Sequence, residues 1–214
     1  MSSSSGRRQG SPSRPRRCVA GFDDGRFSKS WRCTLGVLSL HCWAGPHLCP
    51  CGAVVTRLTV DGMDSTERII EAVERARGLG YGVEALLLDT NVFAGFNVAD
   101  PEAVASRLGL PVLVVYWYPP RREAVERALR LHFPDWRERL RLLEEAWSRL
   151  RQAPCPRGGL LLAVYGADWG WGHRLLCGLQ LYTRAPEPLY TAHTLASELS
   201  EALLRRGAVP ECIG

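Results

Sequence analysis

A mixed α/β architecture is predicted by three features of this sequence: three antiparallel strands lead into parallel strands that alternate with helices on both faces of one sheet. First, Ala53 to Val60 alternates, setting Val55, Arg57 and Thr59 against Val54, Thr56, Leu58 and Val60, the period of a half-buried strand. Second, Val83 to Asp89 and Pro111 to Trp117 are short, nearly unbroken apolar runs, as strands buried on both faces are. Third, segments with helical spacing fill the gaps between those runs, which is the order of a layered α/β domain.

Taken in order, the runs Cys18 to Phe22, Cys33 to Trp43 and Ala53 to Val60 are joined by short connections, which predicts antiparallel pairing. Asp64-Ser65-Thr66-Glu67 resembles a capping box and opens a helix with Ile69, Ile70, Val73 and Ala76 on one face, stopped by Gly78 and Gly80. The strand Val83 to Asp89 follows, then a helix from about Pro101 to Leu108 and the strand Pro111 to Trp117. Beyond the breaker Pro119-Pro120 come helices from about Arg121 to Leu131 and Asp135 to Arg151, the second with Trp136, Leu140, Leu143 and Trp147 at core spacing. Gly159 to Tyr165 reads as another strand, Asp168 to Tyr182 fits neither period, and a last helix spans about Leu189 to Arg206. This order matches ribonuclease H-like folds, although fold alone does not establish chemistry.

At 214 residues and 46% hydrophobic, the chain holds enough for one sizeable core, so a single domain over 18–214 is expected. No apolar run reaches the roughly 18 residues that a membrane helix needs. The net charge of +5 suggests nucleic acid until it is located: Arg7, Arg8, Arg14, Arg16 and Arg17 fall in residues 1–17, and without them 22 basic residues face 22 acidic ones. Charge therefore argues for no broad DNA-binding face on the folded part. The Ser, Arg, Pro and Gly of residues 1–17 predict a disordered tail, and the same segment lacks the apolar stretch of a secretory leader, which predicts a cytoplasmic protein.

Carboxylates recur where elements end. Asp23-Asp24 closes the first strand, Asp61 the third and Asp89 the first parallel one, while Asp64 opens the first helix. Any one of them has an ordinary capping or turning role. Together they point to a crevice at the sheet edge where oxygen ligands gather Mg²⁺, or Mn²⁺, for phosphodiester cleavage.

The segments GFDDGRFSK, VTRLTVDGMDSTERII, LLLDTNVFAGFNVAD, LPVLVV, HFPDWRERL and PEPLYTAHTLASEL, in this order, resemble the archaeal endonuclease dU family, distant relatives of endonuclease V. The resemblance covers roughly residues 18 to 206. It implies a ribonuclease H-like fold and a Mg²⁺-dependent endonuclease that acts on DNA carrying a deaminated base, a DNA-repair activity. It also implies site residues: Asp23 on the first strand, Asp61 or Asp64 as second acid, Asp89 as third, and His193 within Pro188-Leu189-Tyr190-Thr191-Ala192-His193 as the late histidine. Asp23, Asp61, Asp64 and Asp89 are thus the candidate metal ligands, and His193 would orient or protonate at the phosphate. Two positions depart from the pattern: Thr90 stands where relatives commonly carry Gly, and the second acid is Asp rather than Glu. The wedge residues with which endonuclease V opens the duplex have no identifiable counterpart.

A second cluster, His41, Cys42, His47, Cys49 and Cys51, carries zinc-type ligands, but Cys-Pro-Cys is tighter than the usual spacing. A disulfide among Cys42, Cys49 or Cys51, or free thiols, is expected over structural zinc. Trp117-Tyr118 at a strand end has the chemistry to stack on an extruded base, or to pack on a neighbouring helix. The readings that compete with an endonuclease are a non-catalytic nucleic-acid-binding protein that keeps the fold, and a metal-dependent phosphoesterase for small substrates.

Overall fold

The computed structural model describes residues 15–28 and 31–208. Its centre is a seven-stranded sheet built from β1 (Arg16–Asp24), β2 (Cys33–Ala44), β3 (His47–Thr59), β4 (Tyr81–Asp89), β7 (Val112–Tyr116), β8 (Arg151–Ala153) and β9 (Leu160–Tyr165), in the order β3-β2-β1-β4-β7-β9-β8. β1 pairs antiparallel with β2 and parallel with β4, and β7 continues the parallel set. After β4 the chain makes a small hairpin, β5 (Val92–Phe93) with β6 (Asn97–Val98).

Helices cover both faces, as the apolar runs require. Ala20, Phe22, Leu86, Leu88, Val112 and Val114 face α1 (Ser65–Gly78), α2 (Pro101–Leu108), α3 (Arg122–His132) and α4 (Trp136–Arg149) in one core. Val19, Ala85, Leu87, Leu113 and Val115 face the second core, closed by α5 (Trp169–Gly178) and α6 (Glu187–Arg205). No helix among the described residues is long and apolar enough to cross a membrane.

Several expectations change in detail. β9 runs antiparallel to β7, because β8 takes the parallel position and turns back through a hairpin to place β9 between them. β3 begins at His47, six residues before the expected strand, because Gly45 at φ 62 with Pro46 makes a two-residue hairpin loop. The stretch that fits neither period contains α5, started by Asp168, whose side chain accepts from the Trp171 N–H. Arg16 and Arg17 of the expected tail are already strand, Arg17 pairing with Glu84, while residues 1–14 lie outside the described residues.

His41 shows what burial costs. It is 2% exposed, its Nε2 lies 3.3 Å from the Thr191 hydroxyl of α6, and its Nδ1 has no hydrogen-bond partner among the described residues. Burial lowers its pKa to about 4. The folded state therefore keeps His41 neutral while the unfolded chain takes up a proton near pH 6.5, so stability is full above that pH and falls as pH drops towards 4, by about 3 kcal/mol in all. Thermal unfolding of wild type and His41→Gln between pH 7.5 and 4.5 checks this: the variant should show a clearly flatter pH dependence, and equal slopes would refute a buried neutral histidine.

Candidate active site

Parity along the central strands decides where the carboxylates point. Pairing of Phe22 with Leu88 sets Asp23 beside Asp89 at the ends of β1 and β4, on the face shared with Val19 and Leu87. α6 crosses that face and presents His193, whose Nδ1 donates to Asp23 Oδ2 at 2.7 Å. One ligand atom from each of Asp23, Asp89 and His193 lies within 4.8 Å of the others. Asp24 turns the other way and its Oδ2 accepts from the Ala94 N–H at 2.7 Å, yet it lines the same open cavity of about 410 Å³, with Arg26, Thr90 and Trp117.

The hairpin after β4 brings Ala94 to Asp24, and it does so with backbone in the left-handed region: Thr90 has φ 65 and Ala94 φ 44. Thr90 steadies its turn with its hydroxyl, which accepts from Val92 N–H and donates to Val92 O. Such a φ is one that glycine adopts at ease and a β-branched residue rarely does, so Thr90 is held there by its turn.

Electrostatics follow from crowding. Burial, then the charge of Asp23, pushes the Asp89 carboxyl up to about 7, opposed by the Trp117 indole N–H that donates to Asp89 Oδ1 at 2.8 Å. Burial and Asp23 likewise push Asp24 up to about 7, opposed by the Ala94 N–H. The bond to Asp23 raises the His193 pKa; partial burial opposes this, and the charges of Asp89 and Asp24 add to it. Crowded carboxylates, with one ligand atom each from Asp23, Asp89 and His193 within reach of a common point, fit a divalent cation.

Asp61 and Asp64 do not join this group. Asp61, at φ 56, accepts from Phe96 N–H at 2.9 Å and donates its own N–H to Ala94 O, so it pins the β5–β6 hairpin. Asp64 makes no side-chain cap to α1. Its carboxylate turns back to accept from the Thr59 hydroxyl at 2.9 Å, Asn97 Nδ2 at 2.6 Å and Arg68 Nε at 3.4 Å. Burial opposes those bonds, but together they hold Asp64 below the usual carboxylate range. The side chain that adds a third carboxylate to the cavity is Asp24, and the Asp23-Asp24 doublet was its signal in the sequence. Asn97, fully buried and bonded to Thr59 and Asp64, had no signal.

Of the five zinc-type residues, Cys42 and Cys51 meet and the other three lie apart. His41 faces α6, His47 is exposed, and Cys49 is an exposed free thiol. Cys42 instead meets Cys18 and Cys51, and since a sulfur joins one disulfide at a time it pairs with one of the two. A further disulfide, Cys155–Cys177, ties the β8–β9 loop to α5. Of the aromatic pair, Trp117 lines the carboxylate cavity and Tyr118 is 74% exposed.

Sheet order, helix placement and aspartates on adjacent central strands define a ribonuclease H-like protein with the fold of endonuclease V. The chain belongs to the endonuclease dU family, whose sequence profile matches residues 16–200. A UPF0215 protein of Aeropyrum pernix is 37% identical over 191 residues, covering 86% of this chain and 99% of its own. Among solved structures, a protein of unknown function from Archaeoglobus fulgidus superposes with a TM-score of 0.70 at 22% identity, covering 85% of this chain and 97% of that one. Endonuclease V of Ciona intestinalis, in complex with DNA containing an inosine, gives 0.52 at 14% identity over 88% of this chain and 86% of that one. These structural likenesses carry the fold.

Proposed function

We propose that the protein is a divalent-metal-dependent endonuclease that hydrolyses phosphodiester bonds in DNA carrying a deaminated base. The convergence of Asp23, Asp89 and His193 within 4.8 Å at the end of the central strands carries this reading. Asp23 and Asp89, with Asp24 at the rim, would hold Mg²⁺ or Mn²⁺. When bound, such ions activate water and stabilise the leaving oxygen. Within the chain, Asp23 fixes the His193 ring through Nδ1 and favours its protonated form, so Nε2 is free to hold a proton against a phosphate oxygen. The Trp117 indole orients the Asp89 carboxylate. Membership of the endonuclease dU family and the inosine-DNA complex of the Ciona structure support a deaminated base in DNA as the target.

Incubation with oligonucleotides bearing uracil, inosine or no lesion, in Mg²⁺ or Mn²⁺, tests the reading. Nicking of one or both lesion substrates and not of the control is the expected result. Equal nicking of all three would remove the lesion specificity, and no nicking at all would favour a non-catalytic binding protein. Metal binding is checked separately: at a hundredfold excess over Kd, Mn²⁺ should add about 2.7 kcal/mol to the stability of wild type and far less to that of Asp23→Asn.

A further inference from the structure

The residues beside the carboxylates have a second property. Trp117 donates to Asp89, and the next residue, Tyr118, lies beyond the end of β7 and is 74% exposed. Arg184, from the segment before α6, lies over both rings, its guanidinium carbon 5.7 Å from the Trp117 ring and 5.8 Å from that of Tyr118. Its position is fixed: it donates to Trp117 O at 3.0 Å and to Gly159 O at 2.7 Å, neutral partners that leave its charge for a ring face or a phosphate. The loop beneath is held as well. A Cβ at Gly158, where φ is 126, would lie 3.1 Å from Arg184 Cγ, so the glycine leaves the stem its room, and buried Gln180 donates to both Gly158 O and Arg184 O.

We infer that Trp117, Tyr118 and Arg184 form a stacking ledge for one unpaired nucleobase of DNA lying next to the phosphate held at Asp23 and Asp89. An exposed ring on rigid backbone, paired with a guanidinium, is the chemistry that binds a base face irrespective of its identity. A base inside a duplex has both faces covered by its neighbours, so the ledge selects a nucleotide that is unpaired or easily extruded. Trp117 links the two functions, touching the Asp89 carboxylate on one side and the Arg184 guanidinium on the other. The inference rests on the nuclease reading only in taking the ligand to be DNA.

The test uses the full chain in Ca²⁺, with a duplex carrying a single bulged 2-aminopurine and a fully paired duplex of the same sequence with 2-aminopurine at the same site. Wild type should bind the bulged duplex more tightly and quench its fluorescence. Tyr118→Phe should keep both effects. Tyr118→Ala should lose about tenfold in affinity for the bulged duplex and most of the quenching, with little change on the paired one. Tyr182→Ala removes an equally exposed ring that lines a different cavity and should match wild type. Unchanged binding and quenching in Tyr118→Ala, or equal losses in both alanine variants, would overturn the ledge. Wild type that nicks lesion DNA but treats bulged and paired duplexes alike would sink the ledge and keep the nuclease; quenching without nicking under any metal would do the reverse.

Discussion

Asp89→Asn is expected to lower single-turnover nicking by roughly a thousandfold or more while the protein stays folded and gains stability in the absence of metal. The two effects share one cause. Asparagine keeps the size of the side chain and its carbonyl oxygen can still accept from the Trp117 indole, so packing and the hydrogen bond survive. What disappears is a negative charge that burial and Asp23 already disfavour. A carboxyl whose folded-state pKa is raised works against folding at every pH above its unfolded value, so a neutral replacement stabilises the metal-free protein near pH 7. The same charge is what a hard cation requires, and its loss removes the ligand on which both water activation and leaving-group stabilisation depend. His193→Ala should cost less, about ten- to a hundredfold, because the strand carboxylates remain in place. Nicking assays paired with thermal unfolding in EDTA decide: a folded Asp89→Asn protein that nicks at the wild-type rate would place the reaction elsewhere.

How much of this was legible follows from which interactions are local. Leu86 to Leu88 and Val112 to Val115 announce strands buried on both faces by composition alone, and the positions of Asp23 and Asp89 at strand ends follow from it. Which carboxylate completes the cavity does not. Asp24 lies on the opposite parity from Asp23, and only the fold-back of residues 90–98 brings Ala94 to it. Asp61 and Asp64 occupy the right places in the chain, but their carboxylates are taken up by Phe96, Thr59 and Asn97, contacts across more than thirty residues in two of the three cases that no spacing rule encodes. Strand orientation fails for a similar reason. The connection from β7 through α3 and α4 obeys the preference for parallel crossovers, but the strand it delivers is the three-residue β8, too short to stand out from the helix before it.

Gly21 is where fold and site are joined most tightly, and Gly21→Ala is expected to damage both. A Cβ at Gly21 would lie 2.4 Å from the Pro188 carbonyl carbon, 2.5 Å from its oxygen and 2.7 Å from Leu189 N. These are backbone atoms of the first turn of α6, so no side-chain rotation relieves the contact, and the Ser39 hydroxyl, donating to Pro188 O at 2.5 Å, holds that turn down. The helix must lift off the sheet, at a cost of about 1–3 kcal/mol or more. It carries Thr191 to His41 and, two residues further on, His193 to Asp23. Asp23 and Asp89 sit on β1 and β4, whose ladder does not involve α6, so metal affinity should largely persist while nicking falls as far as it does in His193→Ala. Gly78→Ala supplies the control: nothing lies within 4 Å of the added carbon at the end of α1, and alanine there should be neutral or stabilise by about 0.5–1 kcal/mol. Denaturant unfolding gives the stability, and nicking measured against Mn²⁺ concentration separates metal affinity from rate. Loss of metal binding in Gly21→Ala would mean that α6 helps to shape the carboxylate pair itself, and unchanged stability would mean that the turn at Pro188 is free to move.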